Sequence, residues 1–175
     1  MYYYLTMKKL CLFFLLCSAA AFAQEPLKQT LSFSIGGQVK NASVITIDSL
    51  NSYAIKPIGD IKVTDHTGTF KHEDDQLKGV LLKDILSHTI LNAASPKLYS
   101  RFYFACTGND GYVVVYSWNE LFNTEVGNHV FIIMEKNGIK ADKMPESIQM
   151  TSTTDFKTGR RYLHNLDKIV VGEVQ

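Results

Sequence analysis

The side chains with most chemistry to offer are few and scattered. The sequence has three cysteines, of which Cys11 and Cys17 stand in its first stretch and Cys106 stands alone in the remainder. A thiolate is a nucleophile and a soft metal ligand when nearby cations lower its pKa. The competing reading of Cys106 is a small core residue, since unpaired cysteine is among the most buried side chains. Arg160 and Arg161 follow Gly159, with His164 and Asn165 just beyond. The guanidinium fork grips phosphate or carboxylate through two parallel hydrogen bonds, and glycine-containing loops commonly bring backbone amides to the same anion. Arg160, Arg161, His164 and Asn165 are therefore candidates to hold an anionic cofactor or another small anion. The alternative is a solvated arginine pair, one member bound to Asp155. The five histidines, at 66, 72, 88, 129 and 164, show neither H-x-H nor H-x-x-x-H spacing. A histidine zinc site has little support from that pattern. The sequence also lacks G-x-S-x-G, C-x-x-C and a phosphate-binding glycine loop.

The elements that must position these residues are mostly strands. Leu31, Phe33 and Ile35 alternate with polar residues, and Val44, Ile45 and Ile47 form a second short run. Asp48 or Ser49 is expected to cap a brief helix over 50–53, closed by Pro57. Residues 58–64 and 67–71 read as a hairpin turning at Thr67-Gly68, with His66 and His72 flanking it. Apolar residues three and four apart predict the clearest helix from Val80 to Ile90. Residues 101–107 and 112–116 read as strands around the turn Asn109-Asp110-Gly111, so Cys106 falls beside a loop and Tyr112 faces either a cleft or a strand neighbour. Ser117-Trp118-Asn119-Glu120 has the form of a capping box. Strands over 130–134, from 148 onward and over 166–174 complete an α+β, β-rich mixed fold with a few short helices.

The N-terminus bears on compartment. Lys8 and Lys9 precede an apolar run over 10–16, and Ala21-Phe22-Ala23 offers a signal-peptidase site before Gln24. The run falls short of the roughly 20 residues a spanning helix needs. Residues 1–23 are read as a signal peptide and 24–175 as a single exported domain, periplasmic or secreted. Cys17 would suit lipid attachment, but Leu16 before it is not the small residue such processing favours. The whole chain carries 18 Lys+Arg against 17 Asp+Glu. Losing Lys8 and Lys9 brings the balance to about −1, which points to neither nucleic acid nor, after signal cleavage, an anionic membrane as partner.

The order of motifs resembles a known family. Ile35-Gly36-Gly37-Gln38-Val39-Lys40-Asn41 followed by Thr46-Ile47-Asp48-Ser49-Leu50 is similar to the opening of the oxidoreductase molybdopterin-binding domain, the core domain of sulfite-oxidase-like proteins. Gly79-Val80-Leu81-Leu82-Lys83-Asp84-Ile85-Leu86 resembles that family's G-V-P-L-x-D-L-L helix, with Leu81 where proline is usual. Asp110-Gly111-Tyr112 and the segment from Ser117 to Leu121 resemble its D-G-Y strand and S-x-x-E-L helix. Asp155 with the run from Gly159 to Leu166 resembles the approach to its last strand. The resemblance implies the sulfite-oxidase type of fold, a cleft for molybdopterin, and oxo-transfer or related redox chemistry. It also implies a cysteine ligand to molybdenum upstream of the G-V-P-L helix. Residues 62–78 contain no cysteine here; Asp65, His66 and His72 are harder donors, and Cys106 lies in a different block. Two functions follow: an oxidoreductase that takes molybdopterin, or a non-catalytic binding module on the same fold for a small anion, a pterin or a protein partner. The Lys8-Lys9 leader suits export of an unfolded chain, which carries no cofactor with it, whereas a loaded enzyme normally uses a twin-arginine leader.

Overall fold

The computed structural model describes residues 29–175, so the expected leader and its two cysteines lie outside the described residues. The elements run β1 (Ser32–Gly37), β2 (Ser43–Thr46), α1 (Ile47–Leu50), β3 (Lys56–Thr64), β4 (Phe70–Leu81) and α2 (Leu82–Leu86). A 3-10 turn, Pro96–Arg101, leads into β5 (Phe102–Gly108), β6 (Val113–Ser117) and α3 (Trp118–Phe122). Next come β7 (Val130–Lys136), β8 (Ile139–Lys140), β9 (Gln149–Ser152), a 3-10 turn Thr158–Arg161, and β10 (Leu166–Glu173). One sheet has the order β2-β1-β10-β5-β6 and the other β3-β4-β7-β8, with β9 also pairing with β7. β1 and β10 pair parallel, and the other ladders are antiparallel. This is a β-rich α+β architecture.

Alternation sets which side chains the first sheet buries. Phe33 and Ile35 from β1, Phe102, Phe104 and Cys106 from β5, Val114 and Tyr116 from β6, and Ile169 and Val171 from β10 are all buried. They share one apolar cluster with Val80 of β4, Val130 and Ile132 of β7, Met150 of β9, and Leu82, Ile85 and Leu121 of the helices. β7 is buried along residues 130–134 because Ile133 on its other side joins a second cluster with Ile61, Val63, Leu77 and Tyr162. Its unbroken V-F-I-I-M run is what burial on both faces requires.

Three local expectations are corrected. The helix expected from Val80 begins only at Leu82; Val80 and Leu81 belong to β4, paired with Ile132 and Phe131. A short apolar run satisfies both periods, and pairing with β7 decides it. Gly79 permits that pairing, since a Cβ there would lie 2.6 Å from the Ile132 carbonyl oxygen. The first helix is capped by Thr46 rather than by Asp48 or Ser49, and it ends at Leu50. Thr46 Oγ1 accepts from the Ser49 amide at 3.1 Å, and Ser49 Oγ accepts from the Thr46 amide at 2.9 Å. Pro57 does not close that unit; it lies inside β3, an edge strand whose register shifts beside it, where a missing N–H is tolerated. The Ser117–Glu120 capping box forms as read.

Candidate functional site

A cleft of about 400 Å³ opens where the β3–β4 turn meets the segment entering β10. Thr64, Asp65, His66, Lys71 and His72 come from the hairpin, Asp110 and Tyr112 from the β5–β6 turn, and Gly159, Tyr162 and His164 from the β10 approach.

Short-range bonding fixes these walls. Asp65 Oδ1 accepts from the amides of Thr67 at 2.8 Å, Gly68 at 2.9 Å and Thr69 at 3.0 Å, and from the Thr67 hydroxyl at 2.6 Å. Led by the Thr67 hydroxyl, these donors lower the Asp65 pKa from the ordinary 3.8 to about 2. Opposite, Thr158 Oγ1 accepts from the Thr64 amide at 3.0 Å and donates to the Lys62 carbonyl at 2.8 Å. A Cβ on Gly159 would lie 1.9 Å from the Thr64 carbonyl oxygen, so only glycine lets the two segments meet. Tyr112 Oη donates to the Arg160 carbonyl at 2.8 Å, and Arg160 Nε donates to the His66 carbonyl at 3.2 Å.

Beneath the cleft lies a buried polar group. Asp74 is 2% exposed and accepts from Tyr162 Oη at 2.8 Å. Lys136 Nζ donates to Gln149 Oε1 at 3.0 Å and to Tyr162 Oη at 3.3 Å, and stands 3.8 Å from Asp74 Oδ1. His72 Nε2 reaches the same Asp74 oxygen at 3.5 Å from the cleft side. Burial first, and then the Asp74 charge, raise the Tyr162 pKa, which keeps it a neutral phenol. Sequence reading missed Asp74, Lys136, Gln149 and Tyr162, as well as Lys71 on the cleft wall. Asp74 sits in the run His72-Glu73-Asp74-Asp75-Gln76, which looks like a solvated face. Alternation from buried Leu77 would turn Asp75 inward. Gln76 instead adopts φ 52°, and β4 uses one residue more than β3 between the pairs Gly59–Leu77 and Ile61–Asp74. That bulge reverses the phase and turns Asp74 in.

The five sequence candidates land in five different settings. Cys106 is wholly buried in the shared apolar core, and burial raises its thiol to about 12. Arg161 donates to both Asp155 oxygens at 2.7 and 2.5 Å, reaches Glu120 at 3.3 Å, and lies over the Tyr116 ring 4.6 Å from its centroid. Arg160 is exposed and is not among the cleft-lining residues, its Nε donating to the His66 carbonyl. Asn165 is 4% exposed at φ 47°, its Oδ1 accepting from the Thr30 amide at 3.4 Å and its carbonyl from the Asn109 amide at 3.0 Å. His164 alone of this set lines the cleft. Its Nδ1 stands 2.8 Å from Glu146 Oε2, its ring packs 4.9 Å from that of Tyr162, and burial lowers its pKa from the usual imidazole range.

The residues present do not fit a molybdenum held by a protein thiolate. The cleft offers carboxylate, imidazole, amine and hydroxyl groups, and the thiol of Cys106 lies in the core. Among the described residues no cluster of three or more His, Cys, Asp or Glu could hold a metal ion. No helix among them is long and apolar enough to cross a membrane.

No family model matches the chain, and no curated protein matches it. Among solved structures it is similar to the sulfane dehydrogenase SoxCD from Paracoccus pantotrophus, with a TM-score of 0.57 and 11% sequence identity. The match covers 86% of this chain and 40% of that one, so it spans about two fifths of its neighbour's length. At that identity the likeness shows the fold alone, a β-rich α+β domain.

Proposed function

We propose that this chain is an exported binding module on a molybdopterin-domain-like fold, and that its cleft takes a small anion. The observation that supports this most is the balance of groups in the cleft. Asp65 uses one carboxylate oxygen on four donors of its own turn, and Asp110 accepts from the Tyr112 amide at 2.9 Å. Lys71 and the imidazoles of His66, His72 and His164 face the same space. Protonation of His164 adds positive charge there, and because burial lowers its pKa from the usual imidazole range, that gain in anion affinity is expected only below that range.

The test is titration of the purified chain with sulfite, sulfate and phosphate, followed by amide chemical shifts. Perturbations confined to the cleft, with Lys71→Ala weakening binding about tenfold, support the reading; a tenfold change corresponds to about 1.4 kcal/mol. No saturable shift with any of the three anions overturns it.

A second reading, an oxidoreductase that takes molybdopterin, is favoured by the likeness to a sulfane dehydrogenase across most of the chain. On that reading the pterin itself would have to hold the metal without a cysteine. Molybdenum and pterin content of protein from its native exported fraction separates the two. Near-stoichiometric molybdenum would replace the binding reading with the oxidoreductase, and metal-free, pterin-free folded protein would remove the oxidoreductase.

A further inference from the structure

Phe156 is the most exposed large apolar side chain of the described residues, at 102% relative exposure. Such exposure usually marks a slack loop, yet both flanks of Phe156 are fastened. On one side Asp155 accepts two bonds from Arg161 and one from the Ser152 hydroxyl at 2.9 Å. On the other, Thr158 is bonded to the end of β3, Gly159 is wedged against Thr64, and the Arg160 amide donates to the Lys157 carbonyl at 2.9 Å. The phenyl ring is thus presented to solvent by a backbone with little freedom left to lose. Preorganised aromatic anchors of this kind contribute most to protein interfaces.

The ring borders a groove of about 540 Å³ that also takes in Val126, Lys157 and Arg160. Its charge is one-sided. Asp155, the carboxylate in its lining, is neutralised by Arg161. Glu125, exposed next to Val126, is not among the residues that line the groove. Arg160 meets only a carbonyl oxygen through its side chain, so its charge is not cancelled, and Lys157 is an exposed member of the same groove lining, its stem beside the Gly68 turn.

We propose that the loop 154–161 is a docking surface for an acidic segment of a partner protein. An apolar side chain of that segment packs on Phe156 and Val126 while its carboxylates meet Lys157 and Arg160. Gly159 of this loop lines the cleft and Arg160 is bonded to its wall, but Phe156, Val126 and Lys157 lie outside the cleft lining.

The experiment places the photocrosslinker p-benzoylphenylalanine at position 156 of the full chain in its native host, with the crosslinked peptide sequenced by mass spectrometry. The expected result is a segment rich in Asp and Glu beside Leu, Ile or Phe, with crosslinking reduced at least tenfold by K157E combined with R160E. A synthetic copy of that segment should bind the purified chain, and Phe156→Ala should weaken it at least tenfold. K157E alone, which touches no bond that fastens the loop, should weaken it several-fold, and circular dichroism checks that each variant is folded. A crosslink to a second copy of this chain, to lipid, or to a neutral or basic segment overturns the proposal. Capture indifferent to the charge reversals, or no crosslink above that from the probe at exposed Lys40, overturns it as well.

Discussion

Two buried regions of this molecule are built on different terms. Around Cys106 the two sheets and the helices meet in a core of aliphatic and aromatic side chains, where the thiol acts as one more small apolar group. Under the cleft, the second cluster surrounds Asp74, Tyr162, Gln149 and Lys136, which satisfy one another through hydrogen bonds and an ion pair. The first region holds the residue with the most reactive chemistry and gives it no access. The second holds residues unremarkable in sequence and links them, through His72 and Tyr162, to the cleft. Reactivity judged by residue type and reactivity judged by place disagree here, and place decides.

The largest effect should come from the polar region. Asp74→Ala leaves Lys136 without its buried counter-charge and leaves Tyr162 only the longer bond to Gln149 Oε1. Removing one partner of a buried pair costs about 3–5 kcal/mol. At about 2–4 °C per kcal/mol for a domain of this size, the melting temperature should fall by on the order of 10 °C. Asp74→Asn keeps an acceptor and should cost less. If both variants melt with the native chain, the group beneath the cleft is not held together as described.

The apolar region sharpens the contrast at smaller cost. Cys106→Ser buries a hydroxyl among apolar neighbours and should cost about 1–3 kcal/mol, whereas Cys106→Ala loses only a sulfur's packing. Native protein should also resist thiol alkylation at neutral pH, because burial holds the thiol at about 12. Rapid labelling without unfolding would return Cys106 to the list of reactive groups.

Adjacent arginines provide a third test. Arg161→Ala loses the fork on Asp155, the reach to Glu120 and the packing on Tyr116. The pair is partly exposed, so screening limits the loss to about 1–2 kcal/mol. Arg160→Ala removes one bond to a carbonyl oxygen and should change stability by less than about 0.5 kcal/mol. Chemical denaturation of the two variants side by side checks the ordering.

The sequence made the fold class legible because alternation in β1, β5, β6 and β10 and the unbroken run in β7 each have one good solution. It misled where one run served two periods, as at Val80 and Leu81, and pairing with β7 chose between them. The cleft was legible only in part. His66, His72, His164 and Tyr112 stood out by type, and the Asp110-Gly111 turn by chemistry. Asp74 could not be found that way, because its inward turn depends on the left-handed Gln76 and a one-residue bulge that no local pattern announces. Arg160 and Arg161 were indistinguishable as neighbours in sequence. Only the partners Asp155, Glu120 and Tyr116, brought together from distant segments, separate a structural arginine from an available one.

The smallest effect concerns the cleft rim and depends on pH. Asp65 has a folded pKa of about 2 against an ordinary 3.8, so its charged form is the one the turn stabilises. A depressed carboxylate contributes stability that is fully present above its unfolded pKa and is lost as pH falls through the folded value. Asp65→Asn keeps the side-chain carbonyl as an acceptor but removes the charge that strengthens the four bonds. The native chain should therefore outlast the variant by a constant margin above about pH 4.5, and that margin should close between about pH 4 and pH 2. Melting temperatures of both proteins across that range measure it. A margin that stays constant down to pH 2 would mean that the turn holds Asp65 by shape alone, and one that widens on acidification would reverse the sign assigned to its carboxylate.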